Sequence, residues 1–272
     1  MDATGRPLRD ADWIRVRDLL AAGLAITAPG FLWEVRRWDG WRWYRPDPAW
    51  DPGWERMTRA WEDAGGALVA AAHADGDGQV ALQVHPAHRH LEDAMVAWAE
   101  AALAVPDAAG VRRLVTPVRE YDRRRQGLLY ARGWRRTEAW GVTRWLRFGV
   151  RPEPSAPAAP GYVLRPLRPG DPGDALRLAA LLNAAFCRTW HDAPEYLVFE
   201  RYAPDYDPAL HLVAEAPDGS FAAHVGVTLE PTNRLAIVEP VCTHPQHRRR
   251  GLAEALLRRD LDRYLQYELA AA

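Results

Sequence analysis

Arg248-Arg249-Arg250-Gly251-Leu252-Ala253 has the form Arg-x-x-Gly-x-Ala and lies between an apolar run ending at Thr243 and an apolar helical pattern. A junction of this kind can hold an anion. The first turn of a helix carries backbone N–H groups without intrahelical partners, and the helix dipole adds positive potential at that end. A pyrophosphate placed there satisfies both. Gly251 has no Cβ to keep phosphate oxygens off the backbone, Ala253 is nearly as small, and the arginines bring bidentate donors. The same letters also describe an ordinary helix start with a solvated arginine run, and alone they leave both readings open. His85, His88 and His90 with Asp93 form a second group of potential ligands, but histidines at a helix start beside acids suit a solvated surface, so no metal is expected.

Periodicity supplies the elements that must position the loop. Asp12 to Ala25 has helical spacing, and Leu32 to Tyr44 reads as an aromatic hairpin turning at Asp39-Gly40. Strands are expected at Leu68 to Ala72 and Val80 to Val84, a helix at Leu91 to Leu103, a strand at Arg113 to Val118, and a helix at Arg123 to Arg132 ended by Gly133. A strand or hairpin follows at Thr137 to Phe148. Arg151 to Pro160 contains four prolines, which preclude helix and disfavour strand pairing. It divides a domain at 1–150 from one at 161–272, and only Trp190 of the 13 tryptophans lies in the second. There, strands at Tyr162 to Leu167, Leu212 to Ala216, Phe221 to Leu229 and Leu235 to Thr243 accompany helices at Asp174 to Phe186 and from about Gly251 to Gln266. In the first of those helices, Leu176, Ala179, Ala180, Leu182 and Ala184 are expected to face inward.

Composition narrows the function classes. A chain of 272 residues with 48% apolar and 26% charged residues is an ordinary globular protein with room for two domains. The net charge of −1 lacks the basic field that accompanies nucleic-acid binding, so none is expected. All 35 basic residues are arginine, which excludes lysine Schiff-base chemistry and a Walker-type phosphate lysine. Cys187 and Cys242 are too few for a disulfide framework, no apolar run approaches a membrane span, and Met1-Asp2-Ala3-Thr4 does not begin a signal peptide. A cytoplasmic protein without membrane contact is expected.

An internal repeat runs beneath this layout. Placed 159 positions apart, His85-Pro86-Ala87-His88-Arg89-His90-Leu91-Glu92-Asp93-Ala94 and His244-Pro245-Gln246-His247-Arg248-Arg249-Arg250-Gly251-Leu252-Ala253 agree at five of ten positions. Each follows a β-like strand and opens an apolar helix, so the chain reads as two copies of one domain.

Val238 to Leu257, centred on that loop, resembles the acyl-CoA-binding core of the GNAT superfamily of N-acyltransferases, and the order of elements from Tyr162 onward is similar to that family's first four strands. The resemblance extends to a tandem architecture over nearly the whole chain and is specific at the loop. It implies an α/β (α+β) fold of two tandem domains, each a mixed, mostly antiparallel sheet flanked by helices, with acetyl-CoA or another acyl-CoA as co-substrate. Arg248, Arg249, Arg250, Gly251, Leu252 and Ala253 would then hold the pyrophosphate, and the strand before them would splay so that Val241 and Thr243 pair with the pantetheine arm. Pro240, which cannot donate to a ladder, suits a bulge in that strand.

Acyl transfer to a small-molecule or peptide amine needs a base, an oxyanion donor and an acid for the thiolate. Glu239 is the base candidate, placed by alternation on one face with Leu235, Ile237 and Val241 where apolar surroundings favour its neutral form; a salt-bridged strand-end glutamate fits equally. His224 on the neighbouring strand is a weaker second base, and the backbone N–H near Val241 would serve the oxyanion. The first copy departs from the pattern, with Glu92 in place of Gly251 and Leu129 in place of the family's usual tyrosine, and reads as a degenerate copy. The second ends at Ala272 without the family's last strands. Truncation, a wall supplied by another segment or subunit, and a non-catalytic acyl-CoA-binding or oligomerisation module are the readings this leaves; an open strand edge also favours a homodimer.

Overall fold

In the computed structural model, which describes residues 5–139, 141–145 and 159–258, every strand pairing of the two larger sheets is antiparallel. The chain divides into two units, one of Met1–Trp38 and Ala49–Trp145, the other of Asp39–Pro48 and Leu146–Ala272. The proline-rich segment from 151 to 158 lies outside the described residues.

The first unit opens with α1 (Asp12–Leu24), which buries Val16, Leu19 and Leu20 at the expected helical spacing. Then comes α2 (Val35–Trp43), which the division between units cuts after Trp38. This helix replaces the expected hairpin. Val35, Trp38, Asp39 and Arg42 are all buried, a spacing of three and four that only a helix puts on one side. After the short α3 (Trp54–Met57) come β1 (Thr58–Glu62), β2 (Leu68–Ala74) and β3 (Val80–Val84), in the order β1-β2-β3. Helix α4 (Glu92–Ala102) buries Met95, Val96 and Ala99, and α5 (Arg123–Ala131) ends before Gly133 at φ +84°. Between them β4 (Val105–Pro106) pairs with β5 (Arg112–Arg113), so the strand expected to reach Val118 is only two residues long, with a separate bridge from Val115 to Gln79. No strand forms among the described residues of 137–145.

The second unit is a four-stranded sheet of β6 (Val163–Pro166), β7 (His211–Glu215), β8 (Phe221–Glu230) and β9 (Leu235–Thr243), ordered β6-β7-β8-β9. Helix α6 (Pro172–Phe186) starts where Asp171 accepts the Asp174 amide at 2.9 Å. It buries Ala175, Leu178, Ala179, Leu181 and Leu182, whereas Leu176 and Ala180, expected inside, are exposed. Helix α7 (Ala193–Tyr202), absent from the sequence expectations, follows a similar cap, Asp192 accepting the Glu195 amide. These two helices pack Leu178, Leu181, Leu182 and Tyr196 against Val213, Phe221 and Cys242 on one sheet face. On the other, Leu252 and Leu256 of α8 (252–258) pack on Leu212, Ala223, Val225 and Val227.

Besides the histidine stretch, the two units share a second local motif at the same offset. Arg6-Pro7-Leu8-Arg9 and Arg165-Pro166-Leu167-Arg168 are identical and again lie 159 residues apart. In the second unit Arg165 forks onto Asp174 at 2.6 and 3.0 Å, the Arg168 amide donates to the same carboxylate at 3.0 Å, and Arg165 also reaches Glu215. In the first, Arg6 forks onto Asp12 at 2.6 and 2.8 Å, the Arg9 amide donates at 2.9 Å, and Arg6 also reaches Glu62. Burial alone would raise both carboxyls, but these donors bring each down to about 2. Each network fastens a first helix to the segment before it, β6 in the second unit and the stretch bridged at Arg6 to Ala60 in the first.

Candidate functional site

Strand β9 does not run straight into the loop. Val241 pairs with Val225 and Val238 with Val227, so Glu239 and Pro240 together oppose the single residue Gly226. That is a β-bulge, at the position where Pro240 led one to be expected. Gly226 is required opposite it, because a Cβ there would come within 2.9 Å of the Glu239 carbonyl oxygen and 3.0 Å of the His211 ring. The bulge also changes which way side chains look. Residues directly opposite share a face and successive residues alternate. Val241, opposite Val225, therefore lies on the other face from Ile237, opposite Thr228, and does not share a face with Leu235 and Ile237 as expected.

Beyond the bulge the backbone polarity is set by one bond. The His244 amide donates to the Ala222 carbonyl at 2.8 Å. Antiparallel alternation then turns the N–H and C=O groups of Cys242 toward β8 and those of Val241 and Thr243 toward the opposite edge of β9. Among the described residues no strand pairs with that edge.

The loop leaves β9 through a short turn, Pro245–His247, capped where His244 Nδ1 accepts the Gln246 amide at 3.3 Å. Arg248 is extended, and Arg249 and Gly251 take positive φ of 62° and 70° on either side of Arg250. Alternating the sign of φ curls successive amides into a concave nest, the backbone's own anion receptor. A Cβ on Gly251 would meet no protein atom within 4 Å, so the space in front of it is open cleft. Leu252 and Leu256 anchor the helix that follows.

This cleft, about 450 Å3, is lined by Val241, Cys242 and Thr243 of β9, by His247 through Glu254, and by Ala185 and Phe186 at the end of α6. All eight residues expected to hold the donor border it. Arg248 is tied across it, its Nη2 donating to the Ala185 carbonyl at 3.4 Å and its Nε to the Thr243 carbonyl at 3.5 Å. Burial pushes the Cys242 thiol up to about 12, which leaves it a packing group at neutral pH. Glu239 is half-buried in the bulge and does not line the cleft. His224, the second base candidate, is fully buried, its Nδ1 3.0 Å from the Leu212 carbonyl.

Residues 175–270 match the family model of the acetyltransferase (GNAT) family. Over that stretch the chain is similar to a GNAT acetyltransferase domain. A mycothiol acetyltransferase of Kineococcus radiotolerans is 33% identical over 203 residues, 71% of this chain and 62% of that protein, so the chain spans under two thirds of its relative's length. In fold, the chain resembles a GCN5-related N-acetyltransferase from Sphaerobacter thermophilus, with TM-score 0.59, 20% identity, and coverage of 98% of this chain and 84% of that one. It also resembles a tandem GNAT protein from the clavulanic acid biosynthesis pathway, with TM-score 0.52, 19% identity, and coverage of 97% and 86%.

Beside this cleft, the place that the histidine alignment pairs with it in the first unit is closed. His85 caps its turn as His244 does, Nδ1 accepting the Ala87 amide at 3.2 Å. Glu92 does not stand at the mouth of a phosphate cradle, as its alignment with Gly251 led one to expect. It is 1% exposed and accepts from Arg89 Nε at 2.9 Å and Arg125 Nε at 2.8 Å, while Arg89 also reaches Asp122 at 2.7 Å. The arginine that matches Arg248 is thus neutralised within the protein. Arg119 donates to the Gly30 carbonyl at 3.0 Å, Tyr121 bonds the Pro29 carbonyl at 3.0 Å, and the cavity left beside them measures about 80 Å3. That is below the ~300 Å3 at which ligand pockets begin. Leu129, in place of the family's tyrosine, is buried. His85, His88 and His90 have neighbouring rings 5.7 and 5.8 Å apart, and no group of three or more potential ligands forms among the described residues. None of the described helices is long and apolar enough to cross a membrane.

Proposed function

We propose that the second unit holds an acyl-CoA, with acetyl-CoA the first to try, and transfers its acyl group to a primary amine by direct attack on the thioester. The observation that carries this is the convergence of the open edge at Val241 and Thr243 with the nest at Arg249 to Gly251 on one cleft of about 450 Å3. The loop amides and arginines would hold the pyrophosphate, and the outward amides and carbonyls of Val241 and Thr243 would pair with the pantetheine amides as an added strand does.

The donor supplies a thioester carbonyl. The chain's own groups have three tasks around it. The Val241 N–H, directed away from β8, is the donor available to a developing oxyanion. Glu239, in the bulge two residues before and outside the cleft lining, would take the proton that the incoming ammonium must lose through an intervening water. As the N–C bond forms and the C–S bond breaks, the sulfur leaves as thiolate and takes up a proton. The relative's name makes an acetyl group the expected cargo.

The test is release of free thiol from acetyl-CoA over a panel of primary amines. Amine-dependent release that Glu239→Gln lowers by about 10- to 1,000-fold, with donor affinity intact, is the expected result. Donor binding with no release from any amine would reduce the unit to a binding module.

A further inference from the structure

Three features around the cleft go unused by the roles assigned so far. His247 lines it directly after the capped turn. The Tyr162 hydroxyl, just before β6, lies 2.8 Å from His247 Nδ1, with the two rings edge to face at 5.7 Å. The Arg250 guanidinium sits over the Tyr162 ring at 5.7 Å.

We infer that His247 is a further phosphate-binding residue of this cleft and that Tyr162 is the positioning residue that decides which ring nitrogen it offers. The inference rests on the acyl-CoA reading above. A phenol O–H donates to an imidazole nitrogen, which makes Nδ1 the acceptor and puts the ring proton on Nε2. Nε2–H is then the group left to meet a ligand in the cleft, and the ligand that the nest calls for is a phosphate. A proton on both nitrogens would leave Nε2 a donor still, now with a positive charge.

The surroundings favour such a donor. Asp218, in the β7–β8 turn, lies near His247 and has its carboxyl held low by the Ser220 hydroxyl and amide. His244, with its ring 5.5 Å away, is engaged in capping through Nδ1. Arg248, Arg249 and Arg250 follow directly in sequence and share the cleft. In the first unit, where Glu92 replaces Gly251, the residue 159 positions before Tyr162 is Ala3, which has no hydroxyl. The hydroxyl thus accompanies the copy that keeps the cradle.

Calorimetric titration of CoA into the whole chain and its variants tests this, because Gln and Asn place their amide nitrogens near the positions of Nε2 and Nδ1 respectively. His247→Ala and His247→Asn should each weaken CoA by about 10-fold and His247→Gln by no more than about 3-fold, the size expected for one charge-assisted hydrogen bond. Tyr162→Phe should weaken it by about 3-fold. In the wild type, the imidazole 15N signals of His247 should show the Nε2–H form and shift when CoA binds, whereas Tyr162→Phe should show a mixture of tautomers. A merely structural histidine would not distinguish Gln from Asn. CoA that binds the wild type and His247→Ala alike, with His247 signals unmoved, would overturn this inference and leave the acyl-CoA site standing. A wild type that binds no CoA would overturn that site, and this inference with it.

Discussion

Gly251 and Glu92 are aligned by the 159-residue offset, and their surroundings predict opposite consequences of mutation. Gly251 holds φ of +70° with open space before it. Gly251→Ala should therefore cost about 1 kcal/mol of stability through backbone strain while weakening CoA at least about 10-fold, since a Cβ enters the space a phosphate would use. Chemical denaturation beside calorimetry separates the two effects. Glu92 is instead a buried ion-pair partner of Arg89 and Arg125. Glu92→Ala strands those charges and should destabilise the first unit by about 3–5 kcal/mol without changing CoA affinity. The sequence alignment pairs the two residues, but burial decides their roles and a one-dimensional match carries none. For the same reason Glu239 could be placed on its strand but not against the cleft.

At the scale of elements, β9 and its bulge are what the loop depends on. Because Val241 and Thr243 turn their amides to the open edge, CoA should slow hydrogen exchange at those two amides and leave Cys242, turned toward β8, unchanged. Equal protection of all three would mean that the bulge does not set the polarity described. Gly226→Val would force the Glu239 carbonyl away and is expected to lower turnover more than stability. Much of this was legible in sequence. Strong periodicity found α1, α4 and α6, and the stop at Gly133 closed α5 in the right place. The failure at α2 came from reading aromatic spacing alone, since the buried Asp39 and Arg42 complete a helical stripe that a hydrophobic pattern cannot contain. Helix α7 was missed although Asp192, Pro194 and Glu195 form a start signal, because its buried stripe is only Tyr196 and Phe199 besides the polar Glu195.

Over the whole molecule, the two units share a local framework, and among the described residues the large cleft lies at the loop of the second. Two identical Arg-Pro-Leu-Arg segments fold into two matching carboxylate networks, while the loop at Arg248 opens onto a cleft and Arg89 is paired with Glu92. Acid should expose a further difference. His73, fully buried in the first unit, is pushed down by burial to about 3. The unfolded chain takes up that proton near pH 6.5 and the folded one only near 3, so the unfolded state binds more protons in between. Stability should fall by about 1.4 kcal/mol per pH unit as pH drops below 6.5, and His73→Gln should flatten that slope. An equal slope in the mutant would assign it to other groups. The most direct test of the central claim is calorimetric titration of the intact wild-type chain with acetyl-CoA. One molecule bound per chain, lost in Gly251→Glu with the fold retained, is the predicted result; two bound, or undiminished binding in that variant, would contradict it.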